Sequence, residues 1–343
     1  MVESSRASSI DTQTKNSLNS AEIFEVVVVG AGVAGLRAAR TLAAVGVRLV
    51  VLEKSRGFGG RAATRRLHGA VIDHGAQYFT ARDARFQQQV DAWEHAGVVQ
   101  VWARGFCTLT PEGLKAPQEG HPRYAFAEGM NTLGKVLGDG LAVERSTRVV
   151  ALTRAAYGWE IGLEDGTVKR AQRVLLNLPA PQALELAGDL LSSKTRAALG
   201  AVTFAPCLAL MAGFARTAPA WRGVVVEDDA TLSWLACDSS KRDKGRAPDE
   251  TVLVLHGTPT FSQDFLEAPD DAAPRMLGVV APLGFSDPTW TALHRWRYAK
   301  VTQAHGAPYL QDDTLFFCGD WCGGAKLEAA YLSGLEVAEA MLK

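Results

Sequence analysis

Three short stretches carry residue types that hold phosphate and sugar rather than break bonds. Gly30-Ala31-Gly32-Val33-Ala34-Gly35 places glycine at a GxGxxG spacing. In that pattern the first glycine permits a tight turn, the second lets backbone N–H groups approach a pyrophosphate, and the third lets a helix pack closely on a strand. Val33 and Ala34 fall at the start of that helix, whose end adds partial positive charge where phosphates would lie. Glu53 stands 18 residues after Gly35. A carboxylate there would accept from a ribose diol and repel a phosphate on the same ribose.

These residues need a βαβ unit to position them. Phe24 to Val29 is a short β-branched run, apolar residues recur at helical spacing from Leu36 through Leu42 and Val45, and Val47 to Leu52 is a second run. Parallel strands joined by a helix imply a doubly wound sheet, so the expected class is α/β with a Rossmann-like first domain.

The glycine pattern by itself does not separate NAD from FAD. Gly57-Phe58-Gly59-Gly60-Arg61, reached through Lys54 directly after Glu53, is a second glycine loop that a simple nicotinamide dehydrogenase does not need. FAD becomes the better ligand, with backbone approach at Gly60 and with Arg61 neutralising pyrophosphate or pairing with a neighbouring carboxylate. A third stretch, Phe317 to Gly324, lies between a buried strand, Leu315 to Cys318, and a final helix beginning near Lys326, Leu327 and Glu328. Gly319-Asp320 can accept from ribityl hydroxyls. The helix start can face the N1–C2=O edge of a flavin, which gains negative charge on reduction.

Between Ala142 and Asn177 the pattern changes to short strands: Val143 to Thr153, Trp159 to Leu163, an Asp165-Gly166 turn, Thr167 to Lys169 and Val174 to Asn177. A three-stranded meander returning to the sheet is expected. Residues 81–141 and 181–311 mix amphipathic helix with strands such as Cys207 to Phe214, Leu232 to Cys237 and Thr251 to His256. They form a discontinuous α+β substrate domain. The FAD-binding domain collects 23–80, 142–180 and 312–343, and residues 1–22 read as a disordered tail without a signal-peptide core.

The 343 residues carry 36 Lys plus Arg against 37 Asp plus Glu, which gives no electrostatic footprint for nucleic acid or anionic lipid. No apolar run approaches the ~18 residues of a membrane span. Five cysteines spread through the chain make neither a disulfide framework nor a zinc pattern, which suits a reducing, cytoplasmic setting. Cys318 and Cys322 are read as packed small residues rather than redox or flavin-attachment groups. No nucleophile-and-base constellation and no metal-ligand cluster stands out.

Further residues carry a resemblance. Lys54 to Gly57 with Gly60-Arg61, Asp73 to Asp83, Trp93, Trp102, Leu178 to Gln182, His294 to Ala299 and Gly319 to Cys322 resemble the renalase-like FAD oxidoreductases, a branch of the amine-oxidase-like flavoproteins. The resemblance runs from about residue 24 to the end, is nearer the bacterial form, and departs at His74, where Leu or Met is expected. It implies a two-domain architecture like that of amine oxidases and p-hydroxybenzoate hydroxylase, and flavin contacts at Gly75, Ala76 and Gln77. It also implies a substrate site bordered by Gln77, Tyr78, Trp234, His256, Trp296 and Tyr298.

The implied reaction is oxidation of 2- or 6-dihydro isomers of NAD(P). Such a dihydropyridine becomes aromatic by giving hydride to flavin N5, and O2 then takes the electrons to give H2O2, so no catalytic base is needed. An amine oxidase using Tyr78, Trp296 and Tyr298 as an aromatic cage is the alternative. A flavin-binding regulatory protein with little turnover is another. His74, His256 and His294 are read as satisfied polar residues, and Asp73 as holding a loop through backbone N–H groups.

Overall fold

The computed structural model describes residues 22–242 and 250–343, so the expected tail lies, apart from Glu22, outside the described residues. Two sheets organise them. In the first, Val143–Arg145, Leu49–Glu53, Ile23–Val29, Val168–Leu176 and Leu315–Phe317 lie side by side and all parallel. Val26, Val27 and Val28 are fully buried because helices and loops cover both faces of this sheet.

The meander is present but divided differently. Val143 to Thr153 is two strands: Val143–Arg145 joins the parallel set and Val149–Ala155 opens the meander, the break falling at Ser146 with φ 55°. Thr167 to Lys169 and Val174 to Asn177 are one strand, Val168–Leu176. Its first half pairs antiparallel with Gly158–Leu163, and its second half pairs parallel with Leu315–Phe317. The turn at Asp165-Gly166 forms as expected, Asp165 Oδ1 accepting the Thr167 N–H at 3.0 Å.

The second sheet has seven strands in the order Trp290–Gln303, Thr203–Phe214, Thr251–Gly257, Leu232–Cys237, Gly223–Val226, Cys107–Thr110 and Gly113–Lys115. Helix Ala272–Val280 packs on one face over Leu208, Leu210, Leu253 and Leu255. The other face, with Met211, Ala236, Val252 and Val254, shares a core with the first helix and Ile72.

Two features escaped the pattern reading. Trp290–Gln303 is a 14-residue strand on the sheet edge, its exposed Arg295 and Arg297 alternating with His294, Trp296 and Tyr298. Thr64–Leu67 and Ala70–Asp73 form a hairpin turned at His68 and Gly69, which have φ of 50° and 79°. Positive φ at both central residues matches the twist of a two-residue hairpin, although His is an unusual occupant.

Candidate functional site

Strand Ile23–Val29 delivers Gly30 with φ 102°, and a Cβ there would lie 2.5 Å from the Asn177 carbonyl. Asn177, at the end of the neighbouring strand, donates from Nδ2 to the Gly30 carbonyl at 3.1 Å. That side chain bears on the other two glycines: a Cβ on Gly32 would meet Asn177 Nδ2 at 2.7 Å, and one on Gly35 would meet both the Gly30 carbonyl at 2.5 Å and Asn177 Nδ2 at 2.7 Å. Helix Val33–Ala44 then begins with Gly32 as its N-cap and no side-chain cap, with Val33 and Ala34 buried in its first turn. Its leading N–H groups have no partner within the helix.

Glu53 ends the second strand and is 8% exposed. Its Oε2 accepts the Ala31 N–H at 2.7 Å and its Oε1 the Ser55 N–H at 2.8 Å, so the carboxylate ties the first loop to its own turn. The second glycine loop lies directly against the first, the Gly59 N–H donating to the Ala31 carbonyl at 2.9 Å. Gly60 takes φ 58°, which side chains other than glycine adopt at a cost.

Arg61 gathers the remaining motifs. Its Nη2 lies 2.5 Å from Asp320 Oδ1 and its Nη1 donates to the Ala299 carbonyl at 3.3 Å. The second glycine loop, Ala299 on the edge strand and Asp320 therefore meet at one guanidinium. Loop 74–77 is laid on the same segment: the Ala76 N–H donates to the Arg61 carbonyl at 2.9 Å, and a Cβ on Gly75 would sit 2.0 Å from that oxygen. Helix Leu327–Met341 has Lys326 as N-cap and again no side-chain cap.

Not every candidate side chain faces this meeting point. Lys54 and Lys326 are exposed. The Glu328 carboxylate turns to the loop at 82–83, accepting the Arg82 and Asp83 N–H groups at 2.6 and 2.8 Å. The Gln77 amide is committed within its own loop: Nε2 donates to the carbonyls of Asp73 and Gly75, and Oε1 accepts from Lys241 at 3.1 Å.

The second sheet supplies a wall of rings. His294, Ala209, His256 and Trp234 are successive cross-strand neighbours and share one face. His74 stacks on Trp296 with ring centroids 5.4 Å apart, and Trp296 Nε1 donates to the His74 carbonyl at 2.9 Å. Tyr78 packs with Trp234, Phe106 and Trp102, whereas Tyr298 packs edge-on against Phe204. Among the described residues, no two rings of the expected cage of Tyr78, Trp296 and Tyr298 touch. All three imidazoles are held neutral. Burial, then His294 and Arg65, brings His74 down to about 3. Burial, then Lys241, brings His256 to about 4, and burial, then Arg65, does the same for His294.

Beneath loop 74–77 lies a cluster that sequence reading missed. Lys241 Nζ, fully buried, is 2.9 Å from Asp238 Oδ1 and 3.4 Å from Asp73 Oδ2, while Arg242 pairs with both carboxylates. Asp73 Oδ1 also accepts the Met130 N–H at 2.8 Å, the loop-holding role expected of it. Burial alone would raise the Asp73 carboxyl, but Lys241 and then Arg242 hold it below its ordinary value. Asp238 goes the other way, raised by burial despite Lys241. The available signal was an Asp, a Lys and an Arg within five residues directly after the apolar strand Leu232–Cys237. Cys318 and Cys322 are buried, and burial pushes the Cys322 thiol up to about 12.

Two helix starts without side-chain caps, two interlocked glycine loops, a carboxylate at the end of the second strand and an Arg61–Asp320 pair make a donor set that fits a dinucleotide. Comparison with known proteins agrees. Residues 28–93 match the NAD(P)-binding Rossmann-like domain, and residues 95–342 match the flavin containing amine oxidoreductase family. Renalase from Mus musculus is 26% identical over 301 residues, 81% of this chain and 86% of that protein. Putrescine oxidase from Kocuria rosea is 43% identical over 67 residues, 20% of this chain and 14% of that protein. The fold is shared with solved cyclohexylamine oxidase from Brevibacterium oxydans, with TM-score 0.74, 12% identity, and 93% and 99% of the two chains covered. It is shared also with putrescine oxidase bound to putrescine, with TM-score 0.70, 12% identity, and coverage of 94% and 99%. No helix among the described residues is long and apolar enough to cross a membrane. With well over half its length matched, the chain belongs to the flavin containing amine oxidoreductase family and is a renalase-like, FAD-dependent oxidoreductase within it.

Proposed function

We propose that this oxidoreductase acts on 2- or 6-dihydro isomers of NAD(P), converting them to NAD(P)+ with O2 as the final acceptor. Bound FAD supplies a hydride acceptor at N5 and a route for the electrons to O2, giving H2O2. The observation that carries the reading is the chemistry of the wall: three neutral imidazoles, while the buried carboxylates beside them, Asp73 and Asp238, are already paired with Lys241 and Arg242. Imidazoles held this low are weak bases at ordinary pH, and carboxylates already paired with Lys241 and Arg242 are poor partners for an ammonium group. A dihydropyridine asks for neither. It needs orientation and stacking, which Trp296, Trp234 and Tyr78 supply.

In this reading Gly30, Gly32, Val33, Ala34 and Gly35 hold the pyrophosphate with Gly60 and Arg61, and Glu53 takes the adenosine ribose. Gly75, Ala76, Gly319, Asp320 and the first turn of Leu327–Met341 border the ring. The pieces 23–80, 142–180 and 312–343 form the cofactor domain, and 81–141 with 181–311 the substrate domain. Likeness to putrescine and cyclohexylamine oxidases favours a second reading, a small-amine oxidase. Anaerobic stopped-flow mixing of FAD-loaded protein with 6-dihydro-NAD and with putrescine decides between them. Bleaching by the dinucleotide alone is expected, and bleaching by the amine alone overturns the proposal.

A further inference from the structure

The hairpin Thr64–Leu67/Ala70–Asp73 and the edge strand Trp290–Gln303 come from opposite ends of the chain, yet Arg65 Nη2 lies 3.0 Å from His294 Nδ1. A guanidinium can only donate, so Nδ1 must be the accepting nitrogen. A neutral ring with its lone pair on Nδ1 carries its proton on Nε2. Arg65 thus fixes His294 as an Nε2–H donor, and the same positive charge opposes a second proton on the ring. Burial and Arg65 together keep His294 neutral at ordinary pH, with its value down at about 4.

The placement of that donor is specific. His294 is two residues from Trp296 on one face of the strand, with ring centroids 4.4 Å apart, and its ring meets His74 edge-on at 4.8 Å. Five residues along the same strand, the Ala299 carbonyl accepts from Arg61, which is paired with Asp320. His74 Nδ1 and His256 Nε2 are sealed within the protein, whereas His294 is only half-buried and makes its bond to Arg65 through Nδ1. His294 is therefore a pre-aligned neutral donor beside the Trp296 indole, with FAD expected alongside.

We propose that His294, held in one tautomer by Arg65, donates its Nε2–H to the carbonyl oxygen of the carboxamide on the substrate's dihydropyridine ring. This rests on the dihydronicotinamide reading and deepens it. The bond orients the ring, so that the carbon bearing the transferred hydride is presented consistently, while Arg65 is a positioning residue that acts through His294. No proton changes hands at His294, because the hydride and its electron pair leave the substrate carbon as the pyridinium forms.

The test uses FAD-loaded protein. His294→Phe should retain bound FAD yet raise the dihydro-NAD concentration for half-maximal anaerobic reduction about ten-fold, the size of one well-placed neutral hydrogen bond. His294→Gln, which restores an N–H donor, should recover most of that loss. Nitrogen-15 NMR should report the Nε2–H tautomer in the wild type and a mixture in Arg65→Met. An unchanged half-maximal concentration in His294→Phe, or an Nδ1–H tautomer in the wild type, overturns the proposal. Titration with nicotinamide separates it from the reaction assignment. If dihydro-NAD fails to bleach the flavin while nicotinamide still shifts the His294 signals, only the reaction is wrong. If neither occurs, both fall.

Discussion

Replacing Lys241 with methionine tests how the ring wall is held against the cofactor loops. Lys241 Nζ lies 2.9 Å from Asp238, 3.4 Å from Asp73 and 3.1 Å from Gln77 Oε1, and packs over the Trp102 ring at 4.8 Å. The side chain is 0% exposed and its two carboxylate partners 0% and 1%. Methionine keeps most of the stem's volume and its packing on Trp102, so the perturbation is chiefly electrostatic. Two buried carboxylates would then share Arg242 alone. Breaking a buried pair by removing one partner costs about 3–5 kcal/mol, a large part of the 5–15 kcal/mol typical of a folded domain. Adding Asp238→Asn restores charge balance and should recover a substantial part of the loss, a coupling that a double-mutant cycle isolates. Urea unfolding with and without bound FAD measures it. A Lys241→Met protein within about 1 kcal/mol of wild type, or a double variant less stable than the single one, would refute the reasoning.

Gly75→Ala should release FAD and destabilise the fold, since its Cβ would lie 2.0 Å from the Arg61 carbonyl and push the two loops apart; equilibrium dialysis and thermal melting report the two effects. Glu53→Ala leaves the buried Ala31 N–H without its 2.7 Å acceptor, and FAD affinity should fall roughly ten- to a hundred-fold, as expected for a charged hydrogen bond; flavin fluorescence on dilution tests this. Acid should unfold the protein through its imidazoles. His74 and His256 are held at about 3 and about 4, below the unfolded value of 6.5, so the folded state binds fewer protons than the unfolded one between those limits. Stability is then fully present above about pH 6.5 and falls by about 1.4 kcal/mol per pH unit for each ring as pH drops toward 4. Unfolding free energies that are flat from pH 7 to pH 5 would count against the neutral wall.

What was legible in the sequence was local. The glycines at 30, 32 and 35, Glu53, Arg61 and Gly319-Asp320 act through backbone conformation or at strand ends, so residue type and spacing suffice to read them. Even there the physical reason shifted, because Gly32 and Gly35 avoid Asn177, which directly follows the strand Val168–Leu176 and belongs to no glycine pattern. The charge cluster was invisible for a different reason. Asp73 and Lys241 are 168 residues apart, and Arg65 and His294 are 229 apart, so nothing in either neighbourhood announces the other. Asp73 reads as a loop-holding carboxylate and His294 as a satisfied polar residue, and neither reading names its cationic partner. The edge strand was legible in principle, through the alternation of His294, Trp296 and Tyr298 with Arg295 and Arg297. Its charged positions disguised it, as charges on edge strands do when they discourage pairing with another chain.

The same long-range contacts determine how anchor and chemistry are kept in register. The glycine loops and the last helix come from the two ends of the chain, whereas Trp234, His256, His294 and Trp296 come from the second sheet, and in the proposed hydride transfer donor and acceptor lose rate steeply when misplaced by an ångström. Three cross-links converge on residues 61–77 and join the two sets. Arg61 holds both Asp320 and the Ala299 carbonyl, Trp296 Nε1 holds the His74 carbonyl, and Lys241 with Arg242 holds Asp73 and Gln77. Each ties a cofactor loop to a substrate-wall strand or to the turn that follows one. Polar groups buried this deeply contribute little net stability compared with an apolar core. What they do supply here is a fixed separation between the wall and the loops, the property on which the proposed hydride transfer would depend for rate.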